Sequence, residues 1–140
     1  NPEERYPQNE EFMETPICVD TDIFIDALRG KEDALAFFDR AGPLVMTTFT
    51  LFELTLGAYK SNNVPIHLAA IEALTQGIDV LTLRPESARV AGSITAHLQK
   101  KGKVIGLVDT FIGAIALAEG CPIKTGNHKE FSRIPGLKIV

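Results

Sequence analysis

The sequence has few cysteines and no long hydrophobic run. No stretch approaches the ~20 consecutive apolar residues of a membrane-spanning helix, and the N-terminus lacks the basic and then apolar pattern of a secretory signal. We therefore expect a cytoplasmic protein with no membrane partner. Cys18 and Cys121 lie in apolar segments without the close spacing of a zinc knuckle or a redox pair. We interpret both as buried thiols in preference to a disulfide.

Positive charge is also in deficit. The 14 Lys and Arg residues stand against 18 Asp and Glu residues, a net charge of −4, which argues at first against a nucleic-acid partner. Residues 1–12, however, hold four glutamates and one arginine, so they account for −3 and leave −1 for residues 13–140. If Asp20, Glu53, Asp109 and Glu130 meet at a metal ion, the rest of that part sums to +3. A modest positive rim around an acidic pocket is then consistent with the sequence.

The length and composition predict one domain. A chain of 140 residues that is 45% hydrophobic and 23% charged has enough apolar material for one core. Residues 1–12 are polar and acidic and contain two prolines, without helical or strand periodicity. We predict a disordered leader there, either an expression remnant before a natural start at Met13 or a tail that serves a partner. The domain then covers residues 13–140.

From Thr15 onward, short runs of Ile, Val and Leu alternate with longer segments of helical period, which is typical of an α/β fold. Strands are predicted at residues 17–20, 44–47, 79–83, 122–125 and 137–140. Helices are predicted after the caps Asp22 and Asp33, over 48–59 with an apolar face of Phe52, Leu56 and Tyr59, around 68–74, from Pro85 to about 100, and over 109–119.

Three acidic residues stand where a strand meets a helix or where an apolar helix face would favour another residue type. Asp20 ends the first strand, and the carboxyl ends of parallel strands form the crevice where ligands bind; the alternative role is a turn or helix cap. Glu53 lies within the apolar helix 48–59, where a carboxylate pays desolvation unless a cation or donor meets it; the alternative is an exposed acid. Asp109 begins a helix, where an N-cap role is the alternative.

A fourth polar cluster follows the strand 122–125. Thr125, Asn127 and Glu130 all offer oxygen there. Carboxylates gathered in one small volume repel unless a cation binds or some take up protons, and oxygen-only ligands favour Mg²⁺ or Mn²⁺ over zinc. His67, His97 and His128 are too scattered for a zinc site, so we predict that they are surface residues.

Four short segments resemble, in order, the motifs of PIN-domain nucleases. They are Val19-Asp20-Thr21, Thr50-Leu51-Phe52-Glu53-Leu54, Gly106-Leu107-Val108-Asp109-Thr110-Phe111-Ile112 and Thr125-Gly126-Asn127-His128-Lys129-Glu130-Phe131. The tail Ile134-Pro135-Gly136-Leu137 is similar to that of VapC-type toxins of VapBC toxin-antitoxin pairs. Each motif is short, but four in the family's order across residues 17–140 make a specific signal.

The resemblance implies a three-layer α/β fold with a central parallel sheet of about five strands flanked by helices. It further implies a Mg²⁺- or Mn²⁺-dependent endoribonuclease that is a homodimer and is silenced by a VapB-like antitoxin. Asp20, Glu53 and Asp109 would be metal ligands, with Thr21 and Thr125 as supporting hydroxyls. Asn127 departs from the pattern because many relatives carry an acid there. The fourth ligand is then the Asn127 amide oxygen, Glu130, or a water held by both.

Basic side chains and competing functions complete the predictions. Candidate RNA contacts are Arg29, Lys31, Lys60, Lys100, Lys101, Lys103 and Lys129, each of which also reads as an ordinary solvated charge. Residues 23–28 and 49–59 could form the antitoxin docking surface or simply the core.

One alternative function is a haloacid dehalogenase-type phosphatase, suggested by Asp20-Thr21-Asp22, although no late Gly-Asp acidic pair follows. The other is a PIN-like domain that binds RNA or protein without cutting. The presence of Asp20, Glu53 and Asp109 argues against it, because three acids without a function would destabilise the fold.

Overall fold

The computed structural model describes residues 14–140, so the predicted leader at 1–12 lies outside the described residues. Its sheet contains β1 (Ile17–Val19), β2 (Leu44–Thr47), β3 (Asp79–Leu81) and β4 (Ile123–Lys124). These strands are all parallel and lie in the order β3-β2-β1-β4. The predicted fifth strand at 137–140 contributes only an isolated bridge between Ile123 and Ile139. The parallel α/β sheet is confirmed, with four strands and this bridge in the described part.

Seven helices surround the sheet in the described part of the chain. They are α1 (Thr21–Leu28), α2 (Glu32–Arg40), α3 (Thr48–Tyr59), α4 (Val64–Thr75), α5 (Pro85–Lys100), α6 (Leu107–Ala118) and α7 (His128–Phe131). Within residues 14–140, none of these helices has the length and apolar character needed to cross a bilayer.

Side chains alternate across the sheet and bury apolar surface on both of its faces. Val19 and Met46 lie in one core cluster with residues of α1, α3 and α4, whereas Cys18 and Val45 lie in another with Ile115 of α6. A third cluster joins α5, α6, α7 and β4. Helices therefore cover both faces, which confirms the predicted three-layer arrangement. Both cysteines are buried, as the sequence predicts.

Several predicted helix starts were wrong because these helices begin earlier in the chain than the predicted caps. Asp20, not Asp22, caps α1, and its carboxylate accepts a hydrogen bond from the Thr21 backbone N–H. The cap of α2 is Lys31, so Asp33 lies in the first turn. Helix α6 begins at Leu107, which places Asp109 in its first turn rather than at the cap.

The predicted apolar face of α3 was also wrong. Phe52, Leu56 and Tyr59 are exposed, with Tyr59 at 64%. The buried residues are instead Thr50, Leu54 and Ala58, which recur one helical turn apart. Apolar residues occur on several sides of this helix, so periodicity alone does not identify the face that packs against the sheet.

Candidate active site

The acidic residues gather at the point where the strand order changes direction. From β1 the chain continues to β2 and β3 on one side, whereas β4 pairs with β1 on the other. Ligands of open parallel sheets bind outside the carboxyl ends of the strands at such a switch point. Asp20 directly follows β1, and Thr125 directly follows β4.

Asp20 is held in place by two hydrogen bonds. Its Oδ1 accepts from the Thr21 backbone N–H at 2.8 Å, and its Oδ2 accepts from the Thr125 hydroxyl at 2.7 Å. The residue is only 4% exposed. Burial raises the pKa of Asp20 to about 7, and the nearby charges of Asp22 and Asp109 add to this rise, although the two hydrogen bonds oppose it.

Glu53 is brought to the same edge by α3. Its Oε1 accepts a hydrogen bond from the Thr21 hydroxyl at 2.6 Å, which joins α3 to the start of α1. The Thr21 hydroxyl oxygen also lies 3.0 Å from that of the fully buried Thr50. Thr50 precedes Glu53 by one helical turn, and its role went unrecognised in the sequence. Thr21 thus contacts Glu53, and its supporting role at a metal site stays a prediction.

Asp109 approaches from the first turn of α6 and is half-buried. Burial raises the pKa of Asp109, and the charges of Glu53, Glu130 and Asp22 raise it further. The Asn127 side-chain amide opposes this rise by donating a hydrogen bond to Asp109 Oδ2 at 3.4 Å. Carboxylates on α1, α3 and α7 therefore all repel the Asp109 carboxylate of α6.

The polar residues after β4, Thr125, Asn127 and Glu130, lie around Asp20 and Asp109. Thr125 is buried, donates to Asp20, and accepts from the Asn127 backbone N–H at 2.9 Å. Asn127 directs an N–H, not an oxygen, at Asp109. Glu130 is half-buried on α7 and close enough to influence Asp109. The structure thus brings all five predicted acidic and amide residues to one edge, while their chemical roles stay predictions.

Asp22 also belongs to this group, although its position in the sequence does not single it out. Its Oδ2 accepts from the Gly126 backbone N–H at 2.8 Å, across the turn that follows β4. Its Oδ1 is buried and accepts no hydrogen bond from any residue between 14 and 140. The signal was the second acid in Asp20-Thr21-Asp22, which was assigned to capping the helix.

The donor set fits a hard divalent cation, although no closed ligand set has formed. Among residues 14–140, no three His, Cys, Asp or Glu side chains already enclose a metal position. The mutually repelling carboxylates and the buried oxygen of Asp22 are nevertheless features that a cation relieves. Because the polar groups are carboxylate, hydroxyl and amide, Mg²⁺ and Mn²⁺ fit better than zinc.

The predicted RNA-contacting residues and the three histidines differ in their surroundings. Arg29 lines a cleft of about 230 Å³ together with Glu53 and His67. Lys31 instead lies 3.3 Å from Asp26 in an ion pair. The other predicted RNA contacts are exposed and their role stays a prediction: Lys60, Lys100, Lys101, Lys103 and Lys129. His67 and His128 are exposed as predicted, whereas His97 is half-buried.

The chain is similar in sequence to curated ribonucleases. The chain is 34% identical over 122 residues to the tRNA(fMet)-specific endonuclease VapC of Shigella flexneri, covering 86% of this chain and 92% of that protein. It is also 34% identical to ribonuclease VapC2 of Haemophilus influenzae, with the same coverage of both chains.

Two solved structures with a similar fold are VapBC assemblies. A chain of the DNA-bound VapBC structure from Salmonella typhimurium superposes with a TM-score of 0.82 at 29% identity, covering 91% of this chain and 98% of that one. A chain of VapBC-1 from nontypeable Haemophilus influenzae gives 0.80 at 32% identity, covering 89% and 96%. The sequence profile of the PIN domain matches residues 17–137. The chain therefore belongs to the PIN domain family, among relatives that carry the name VapC.

Proposed function

We propose that this protein is an endoribonuclease that uses Mg²⁺ or Mn²⁺ to hydrolyse RNA phosphodiester bonds, as the toxin of a toxin-antitoxin pair. The observation that supports this proposal most directly is the meeting of Asp20, Glu53 and Asp109 at the carboxyl edge of the sheet, where burial and mutual repulsion raise the pKa of two of them. Such a cluster is costly to fold and becomes favourable when a cation binds.

The side chains divide the work between holding the ion and holding each other. Asp20, Glu53 and Asp109 would hold the cation. The Thr21 hydroxyl fixes the Glu53 carboxylate, and the Thr125 hydroxyl fixes that of Asp20. When bound, a divalent cation supplies the Lewis acidity that activates water and stabilises charge on the phosphate. The protein then needs no nucleophile of its own.

The partner assignments come from the named relatives. Two of these are called ribonucleases or endonucleases, and the solved relatives are VapBC assemblies. We extend to this chain an RNA substrate and a cognate VapB-like antitoxin, and from the sequence resemblance we also propose a homodimeric state and a cytoplasmic location. The haloacid dehalogenase alternative is set aside because the matched family is different. The non-cleaving alternative is an outcome of the following test.

The test is RNA cleavage by the purified full chain with Mg²⁺ or Mn²⁺, compared with EDTA. We expect Asp109→Asn to abolish most cleavage, because the substitution removes a carboxylate and retains its size. Asp79→Asn is the matched control, since Asp79 is exposed and begins β3, away from the carboxyl edge. Cleavage that is absent in the wild type, or unchanged in Asp109→Asn, would contradict the proposal and favour a binding domain.

A further inference from the structure

Asn127 leaves the acidic cluster without the carboxylate that the fourth motif commonly provides. The Asn127 side chain donates an N–H to Asp109, an arrangement that stabilises that carboxylate rather than adding a further negative charge. Glu130 is the next acid along the chain, on α7. In the described part of the chain, the structure records no hydrogen bond between Glu130 and the turns that follow β1 and β4, whereas Asp22 makes one.

Asp22 reaches from the turn after β1 to the turn after β4. It belongs to the first turn of α1, but its Oδ2 accepts from the backbone N–H of Gly126, on the turn after β4. Its Oδ1 is buried and takes no hydrogen bond within residues 14–140, which leaves an anionic oxygen in need of a cation or donor.

Gly126 makes this position possible. A Cβ placed on Gly126 would lie 2.7 Å from Asp22 Oδ2, closer than real Cβ atoms approach other heavy atoms. Any other residue at 126 would therefore push the Asp22 carboxylate away from the backbone N–H. The position of the Asp22 carboxylate therefore depends on glycine at position 126.

We propose that Asp22, seated against the Gly126 backbone, supplies the fourth carboxylate of the metal site in place of the acid that Asn127 lacks. This inference rests on the proposed function and names a ligand for the same site. A purely structural role, in which Asp22 only ties the β1–α1 turn to the β4–α7 turn, makes a different prediction. Asparagine at position 22 retains an oxygen for the Gly126 N–H and loses only the negative charge.

The experiment is direct titration of the full chain with Mn²⁺, followed by calorimetry or by the electron paramagnetic resonance signal of the unbound ion. We expect Asp22→Asn to weaken Mn²⁺ binding about tenfold or more, because the site loses one anionic ligand. Asp26→Asn is the matched control on the same helix, where Asp26 pairs with Lys31 near the surface. Its Mn²⁺ affinity should equal that of the wild type.

Two further variants approach the same contact from the β4 side. Gly126→Ala should weaken Mn²⁺ binding although it changes no charge, because the new methyl group displaces Asp22. The double variant Asp22→Asn with Asn127→Asp should regain Mn²⁺ affinity relative to Asp22→Asn alone, because it returns a carboxylate to the site. Thermal denaturation in EDTA checks that each variant is folded before its titration is interpreted.

The outcomes separate this inference from the proposed function. Mn²⁺ affinity equal to wild type in Asp22→Asn would overturn the inference and leave Asp22 as a tie between turns, even if the wild type cleaves RNA. Loss of affinity in Asp22→Asn but not in Asp26→Asn supports it, even in a protein that binds RNA without cutting. Wild-type protein that binds Mn²⁺ but cleaves no RNA would refute the nuclease and not the ligand.

Discussion

Replacing Asp20 by asparagine should stabilise the metal-free protein at alkaline pH. The pKa of Asp20 is raised from 3.8 to about 7, chiefly by burial, so the folded protein binds this proton more tightly than the unfolded chain does. The stability that the neutral acid provides is complete below the unfolded pKa and is lost as the pH rises through the folded one. A rise of this size corresponds to about 4 kcal/mol in the free energy of unfolding.

Part of this gain is offset by a lost hydrogen bond. Asp20 Oδ2 accepts from the Thr125 hydroxyl, and an amide nitrogen in that position cannot. Leaving a buried hydroxyl without an acceptor costs about 1 to 2 kcal/mol. The Asp20→Asn variant should therefore be more stable than the wild type by about 2 kcal/mol at pH values above the folded pKa.

Urea denaturation in EDTA, at about pH 5 and about pH 8, measures this difference. The wild type should lose stability between the two pH values, whereas Asp20→Asn should lose much less, with Asp109 left to contribute in the same direction. Adding Mn²⁺ at the higher pH should reduce the difference in the free energy of unfolding between the two proteins, because only the wild type retains its full set of carboxylates to bind the ion. If Asp20→Asn is less stable than the wild type at about pH 8, ionised Asp20 stabilises the fold, which would contradict a pKa raised by burial.

Other substitutions test separate parts of the structure. Thr21→Val removes the hydroxyl that orients Glu53, and we expect RNA cleavage to fall about 10- to 100-fold with the fold intact by circular dichroism. Gly113→Ala would place a Cβ in steric conflict with Ile134 Cδ1, so urea denaturation should show a loss of about 1 to 3 kcal/mol in the free energy of unfolding; unchanged stability would mean that the Ile134 side chain moves aside at no cost. Burial raises the pKa of the Cys18 thiol, so neither buried cysteine should react with Ellman's reagent until urea unfolds the protein.

The parts of the fold that follow from local patterns were predicted well. Helix α3 spans Thr48–Tyr59 as expected, and β2 spans Leu44–Thr47, because short apolar runs and helical periods are written in neighbouring residues. The segment 137–140 was predicted as a strand, yet it forms only the bridge at Ile139. Whether an apolar run becomes a strand depends on the partner available at the sheet edge, which the run itself does not encode.

The site shows the same division between local and distant information. Asp20, Glu53 and Asp109 could be selected because each interrupts or ends an apolar segment and because their motifs resemble those of a family. Asp22 was missed because an acid at the start of a helix has an ordinary local explanation as a cap. Its actual partner, Gly126, lies 104 residues away in sequence, and no local pattern reports such a contact.

The hydrogen bond between Thr125 and Asp20 has a consequence for synthesis of the chain. It joins residues 105 positions apart, because the central strand β1 pairs on one side with a strand that is translated much later. On the ribosome, Asp20 and Glu53 emerge long before Asp109, Thr125 and Gly126. A nascent or truncated chain therefore lacks a complete active site. A nuclease with this topology becomes active only after β4 has paired with β1.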